Sequence, residues 1–139
     1  MIFKQINDNY IIKLEKNEKI IETLTGFLKK KKITSGYFFG IGAVSKAEIA
    51  HFNLKKKKYS YKILNEPLEI ISLLGNIATL DKQIIIHAHI TLSDSEMNVY
   101  GGHLKEVTIS ATCEIILKKI NKNLNRRLDN KINLNLLDL

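Results

Sequence analysis

The chain of 139 residues is predicted to adopt an α+β fold, a largely antiparallel sheet carrying one packed helix. Three observations predict it. A single segment has its apolar residues at helical spacing. Roughly seven others show strict alternation, or the aromatic and β-branched richness of strands. No alternation of strand and helix links them, so a parallel sheet with crossover helices is not expected. The length fits one domain spanning residues 1–139, with a distinct tail from about residue 120.

Taken in order, the first segment reads as a strand up to about Leu14, with Tyr10, Ile12 and Leu14 on one face. "NEKIIETLTGFLKKKK" follows. Ile20, Ile21, Leu24, Phe27 and Leu28 form one stripe of a helix. Asn17 is the expected N-cap and Glu18 falls in the first turn. Lys29, Lys30, Lys31 and Lys32 crowd the last turn, where positive charge suits the helix dipole. "GYFFGIGAVSKAEIAHF" has strand composition, with glycines where a strand bends or bulges. Lys55, Lys56, Lys57 and Lys58 read as a solvated turn before the strand "YSYKIL". "PLEIISLLGNIATL" fits a buried strand or a short helix equally well. "IIIHAHITL" is a strand, "SDSEMN" a turn, and "VYGGH" and "EVTISATCEIIL" are strands. "INLNL" near the end alternates again, as a terminal strand or a tail that pairs with a neighbouring molecule.

Twenty-two Lys+Arg against 14 Asp+Glu leave a net charge of +8, which favours anionic partners such as nucleic acid, acidic headgroups or phosphorylated metabolites. The excess is almost all Lys, and Lys, Ile and Asn are abundant together, a mix that an AT-rich genome also produces. One cysteine, Cys113, permits no intrachain disulfide, which suits a reducing compartment. The N-terminus lacks the apolar region of a secretory signal, and no apolar run nears the ~20 residues of a membrane span. A soluble, cytoplasmic protein without a membrane partner is expected.

The chemistry gathers in "IIIHAHITL". Ile84, Ile86, Ala88, Ile90 and Leu92 share one strand face, and Ile85, His87, His89 and Thr91 the other. The first face is the core side. The two imidazoles therefore point outward together, about 6.6–7 Å apart along the strand. That spacing lets both reach one ion through Zn–N bonds of about 2.0–2.1 Å. "YGGHL" places His103 a short turn later, beside the first strand if the two form a hairpin. Gly101 and Gly102 remove side chains there and let backbones approach. The pattern H-x-H…G-G-H offers three ligands and leaves a fourth position open. Polar surface residues, or hydrogen-bonding groups at a subunit interface, are the plainer reading of the same spacing.

Other features carry less. Asp94 and Glu96 read as turn residues, His51 as structural or surface, and Cys113 as a small core residue. "GIG" lacks the third glycine and the following helix of a dinucleotide fingerprint. Neither a P-loop, zinc-finger spacing, an RNP-like aromatic motif nor a helix-turn-helix pattern is present.

With "SGYFFGIGAVSKAEIAHF", "PLEIISLLGNIA", "HAHITLSD" and "YGGHL" in this order, the sequence resembles the plant- and prokaryote-conserved domain family, PPC or PCC, from about Tyr10 to Leu128. The resemblance implies an antiparallel α+β domain with one packed helix that assembles as a homotrimer, and it makes "PLEIISLLGNIA" a strand. It implies a bound divalent metal at His87, His89 and His103. Gly75 and Asn76 match the family's Gly-Asn step and Glu69 its strand acid. Plant members sit beside AT-hooks in nuclear DNA-binding proteins, where the domain mediates self-association and protein contacts. This chain has no Arg-Gly-Arg-Pro core, so that activity does not carry over. Freestanding prokaryotic members are often described as candidate DNA-binding proteins. The ending "DNKINLNLLDL" departs from the family.

Three functions follow. The first is a freestanding homotrimeric metal-binding module, zinc being the expected metal, with a DNA-binding or regulatory role. The second is sequence-tolerant DNA binding through Lys29–Lys32 and Lys55–Lys58. The third is a small three-histidine metalloenzyme, ranked last because a bound ion alone does not make a catalyst, and because Glu69 and Glu96 are only guesses at a general base.

Overall fold

A computed structural model describes residues 1–139. β1 (Ile2–Ile6) and β2 (Asn9–Glu15) form a hairpin whose turn holds Asn7 at a φ of 53°, which asparagine tolerates better than most residues. The helix α1 (Ile20–Lys31) follows, then the long strand β3 (Gly36–Asn53) and β4 (Lys58–Leu64). β5 (Leu68–Leu80), β6 (Gln83–Ser93) and β7 (Val99–Lys119) complete the central sheet. β8 (Asn125–Asp129) and β9 (Leu134–Asp138) form a last hairpin.

All nine strands belong to one sheet. Every pairing is antiparallel except the contact of Thr79 with Asn125, which joins the C-terminal hairpin to β5. β3 pairs with β5 and β7, and β6 also pairs with both, so these four strands close a circuit. No helix of the chain is long and apolar enough to cross a membrane.

The helix lies over β6 and β7. Ile20, Leu24 and Leu28 are fully buried, and Phe27 meets the rings of Phe3 and Tyr10 edge-on at 5.1 and 5.3 Å. Its start differs from expectation. Asn17 sits in a left-handed turn (φ 71°) two residues too early to cap, and the N-cap residue, Lys19, supplies no side-chain bond. The orphan amides are met from across the sheet instead. The Glu106 carboxylate on β7 accepts from Ile21 N at 2.9 Å and Glu22 N at 3.1 Å. A carboxylate at this end also complements the dipole. Glu106→Ala is therefore expected to destabilise by about 1–2 kcal/mol in urea unfolding, with Glu106→Gln losing less.

The α+β architecture with a single helix is as expected, and "PLEIISLLGNIATL" is a strand throughout. Three features differ. The first segment, expected as one strand, is the hairpin of β1 and β2. "VYGGH" and "EVTISATCEIIL" are one continuous strand of 21 residues. "INLNL" leads into a terminal strand, β9, one of its two expected readings, but its partner β8 was not foreseen, a strand without an apolar signature because its one buried residue is Arg126.

Candidate metal centre

The register of the sheet builds the site. His87 lies opposite Asn76 on β5; His89 lies between Leu74 on β5 and His103 on β7. His103 in turn lies opposite Ala50 on β3. Inward neighbours Ala88, Ile90, Leu92 and Leu104 are buried, so the imidazoles take the outward face. Ring centroids of the three lie 5.1, 5.3 and 5.6 Å apart, and each ring offers a nitrogen within 4.8 Å of the others. Around a tetrahedral ion with bonds of about 2.0–2.1 Å the nitrogens stand about 3.3 Å apart. Two glycines make the approach possible. A Cβ on Gly102 would sit 2.8 Å from the Ala50 carbonyl oxygen, so only glycine lets β7 run this close to β3 beside His103. A Cβ on Gly75 would sit 2.4 Å from the Phe38 ring, which occupies the space a side chain would need there.

Electrostatics keep the imidazoles ready to bind. Burial, then the neighbouring charges of His103, Arg126 and His89, lowers the His87 pKa from 6.5 to about 4. Burial, His89 and Lys105 also lower that of His103. Both are neutral imidazoles at pH 7, the form that metal coordination requires. The cluster opens into a cavity of about 710 Å³, whose far wall is the β8–β9 hairpin. Arg126 reaches it from β8, with Nη2 donating to Asn76 Oδ1 and Nη1 to the Asn135 carbonyl at 2.9 Å. No aspartate or glutamate lines the cavity. A second, more open cavity of about 490 Å³ adjoins His87 and His89 and is walled by Tyr37, Phe39 and Leu74.

Residues 1–121 match the Plants and Prokaryotes Conserved (PCC) domain. The chain belongs to the PCC domain family. Among solved structures, a candidate DNA-binding protein from Bacteroides thetaiotaomicron is 32% identical, with a TM-score of 0.95 over 98% of this chain and 95% of that one. The metal-containing protein AF0104 from Archaeoglobus fulgidus is 30% identical, with a TM-score of 0.87 over 100% of this chain and 99% of its own. A plant- and prokaryote-conserved protein from Pyrococcus horikoshii is 27% identical, with a TM-score of 0.88 over 99% of this chain and 95% of its own. The bifunctional protein GlmU from a Synechococcus strain is 28% identical over 109 residues, which is 78% of this chain; the match spans 16% of that curated relative's length.

Within this PCC domain the remaining candidates fall in different places. Gly75, Asn76, Gly101 and Gly102 frame the histidines. Glu69 lies opposite Ser93, four residues along β6 from His89 and about 13 Å away by strand rise, so it is not part of the cluster within one chain. Glu96 and Asp94 are held in the β6–β7 turn, where Asp94 Oδ1 accepts from Glu96 N and Asn98 N, each at 2.9 Å. Lys29–Lys32 end the helix just before β3 begins, whereas Lys55–Lys58 turn the chain after β3 ends. The two lysine clusters thus flank opposite ends of an 18-residue strand and form no continuous stripe. Cys113 is fully buried, and burial pushes its thiol up to about 12, as fits a core residue. Pattern reasoning missed Arg126, whose basic, Asn-rich surroundings carry no sign of burial.

The low His87 pKa sets a pH dependence. Between about 4 and 6.5 the metal-free folded state binds fewer protons than the unfolded chain. Stability is therefore full above pH 6.5 and is lost as pH falls through about 4. Urea midpoints measured from pH 7 to pH 4 are expected to fall, and His87→Gln is expected to flatten that fall.

Proposed function

We propose that this PCC domain is a freestanding metal-binding module of regulatory character, in which His87, His89 and His103 hold one divalent ion. The observation that carries the reading is the convergence of the imidazoles from two paired strands. An all-nitrogen set with an open fourth position suits zinc. The metal-containing relative from Archaeoglobus supports it.

The module assembles as a homotrimer in this reading. Support comes from an exposed apolar row that crosses the sheet. Ile11, Ile116, Phe39 and Leu74 are register partners on four neighbouring strands, each 39–58% exposed, and the row ends at His89. An exposed apolar patch of this kind marks an association surface, and it would place the metal beside the subunit boundary. DNA is a candidate partner, supported by the +8 charge and the Bacteroides relative. The separation of the lysine clusters favours dispersed phosphate contacts over one basic groove. An enzymatic reading gains no support, because no carboxylate faces the cavity to act as general base. Metal analysis of tag-free protein, with sedimentation on the same sample, tests the module. One metal ion per chain in a particle of three chains is expected; metal-free protein overturns the reading.

A further inference from the structure

Arg126 is the only charged residue buried in the chain, at 8% exposed. Its guanidinium has five N–H donors. Two meet neutral acceptors, Asn76 Oδ1 and the Asn135 carbonyl, and Nε has no partner. A buried cation is tolerated when a counter-charge compensates it, yet none of the lining residues is acidic. Asn76 ties the group to the histidine cluster, since it faces His87 across the β5–β6 pairing. A divalent ion on the three imidazoles would place a second positive charge in the same enclosure. The rest of the wall combines apolar and aromatic side chains, Phe52, Tyr59, Ile85 and Leu134 among them, with the neutral polar Asn133 and Asn135 and with His51. The volume of about 710 Å³ is that of a small-molecule site. The hairpin that supplies Arg126 lies beyond residues 1–121, which match the family.

We propose that the cavity binds a small organic oxyanion, its carboxylate or phosphate head group on Arg126 beside the metal and its apolar body along Phe52, Tyr59 and Leu134. Guanidinium pairs with either head group through parallel N–H···O bonds. The anion neutralises the guanidinium and the metal together, so anion and metal strengthen each other's binding reciprocally. The proposal deepens the metal-site reading and rests on it only for the second charge.

The test is titration calorimetry of the full chain, zinc-loaded and zinc-free, with benzoate, phenyl phosphate and the neutral benzyl alcohol. At least one of the two anions is expected to bind, and benzyl alcohol to bind much more weakly. Their relative affinity tells which head group the site takes. Arg126→Gln is expected to weaken the anions about 10–100-fold, the range of a lost charged hydrogen bond, and Arg126→Lys to lose less. Equal binding of alcohol and anions to the unmodified chain overturns the proposal without recourse to any variant, as does undiminished anion binding by Arg126→Gln. Zinc binding without anion binding sinks this proposal and leaves the metal reading standing. Anion binding that depends on Arg126 in a protein that takes no zinc does the reverse.

Discussion

The His87→Ala/His89→Ala double variant is expected to keep its fold and lose its metal. Both imidazoles face away from the core, His87 half-buried and His89 exposed, so no packed apolar contact is removed. The metal-free stability should stay within about 1 kcal/mol of the parent, the range of substitutions that leave the core intact. Affinity behaves otherwise. Removing a group that merely orients a ligand costs 10–100-fold in many metal sites, so removing two of three ligands should exceed about 100-fold. Zinc at a hundred times its dissociation constant stabilises the parent by about 2.7 kcal/mol through mass action, and should leave the double variant unmoved. Thermal unfolding with and without zinc reads both quantities on one sample. A zinc-dependent rise of equal size in the variant would mean that the ion sits elsewhere.

Gly102→Ala should damage stability and site together. Its new Cβ would stand 2.8 Å from the Ala50 carbonyl oxygen, a backbone atom of the paired strand that cannot rotate away. β7 must therefore withdraw from β3 next to His103, which pairs with that same Ala50. Overpacking of this kind costs about 1–3 kcal/mol. Metal sites need their ligands held within about 0.5 Å, so a strand shift should also weaken zinc by more than about tenfold. Gly26→Ala is the internal contrast. It lies on the exposed side of α1 with nothing within 4 Å of its added methyl, and should stabilise by about 0.5–1 kcal/mol. Opposite signs for the same chemical change would show that contact, and not loss of glycine flexibility, decides the effect at residue 102.

Most of the site was legible because alternation fixes faces. Once Ala88, Ile90 and Leu92 are assigned to the core, His87 and His89 must share the other side, and a short turn brings His103 alongside. The α+β class was legible for a similar reason, as the stripe from Ile20 to Leu28 has no competitor elsewhere. Less visible were contacts that join residues far apart in sequence. Glu106 caps a helix 85 residues earlier, and nothing around Asn17 announces that the local cap is vacant. Arg126 escaped because burial of a cation is set by distant partners, Asn76 from β5 and the Asn135 carbonyl, and leaves no apolar trace in its own strand. The lysine runs were legible as well: Lys29–Lys32 close the helix and Lys55–Lys58 lie at the turn into β4, at opposite ends of the 18-residue β3.

The most direct measurement is anomalous diffraction from zinc-loaded, tag-free crystals, recorded on both sides of the zinc edge. The expected result is one peak per chain, with a nitrogen of His87, His89 and His103 each about 2.0–2.1 Å from it. Absence of a peak there, or an ion bound at another place while these imidazoles stay apart, would contradict the assignment of a metal to this cluster.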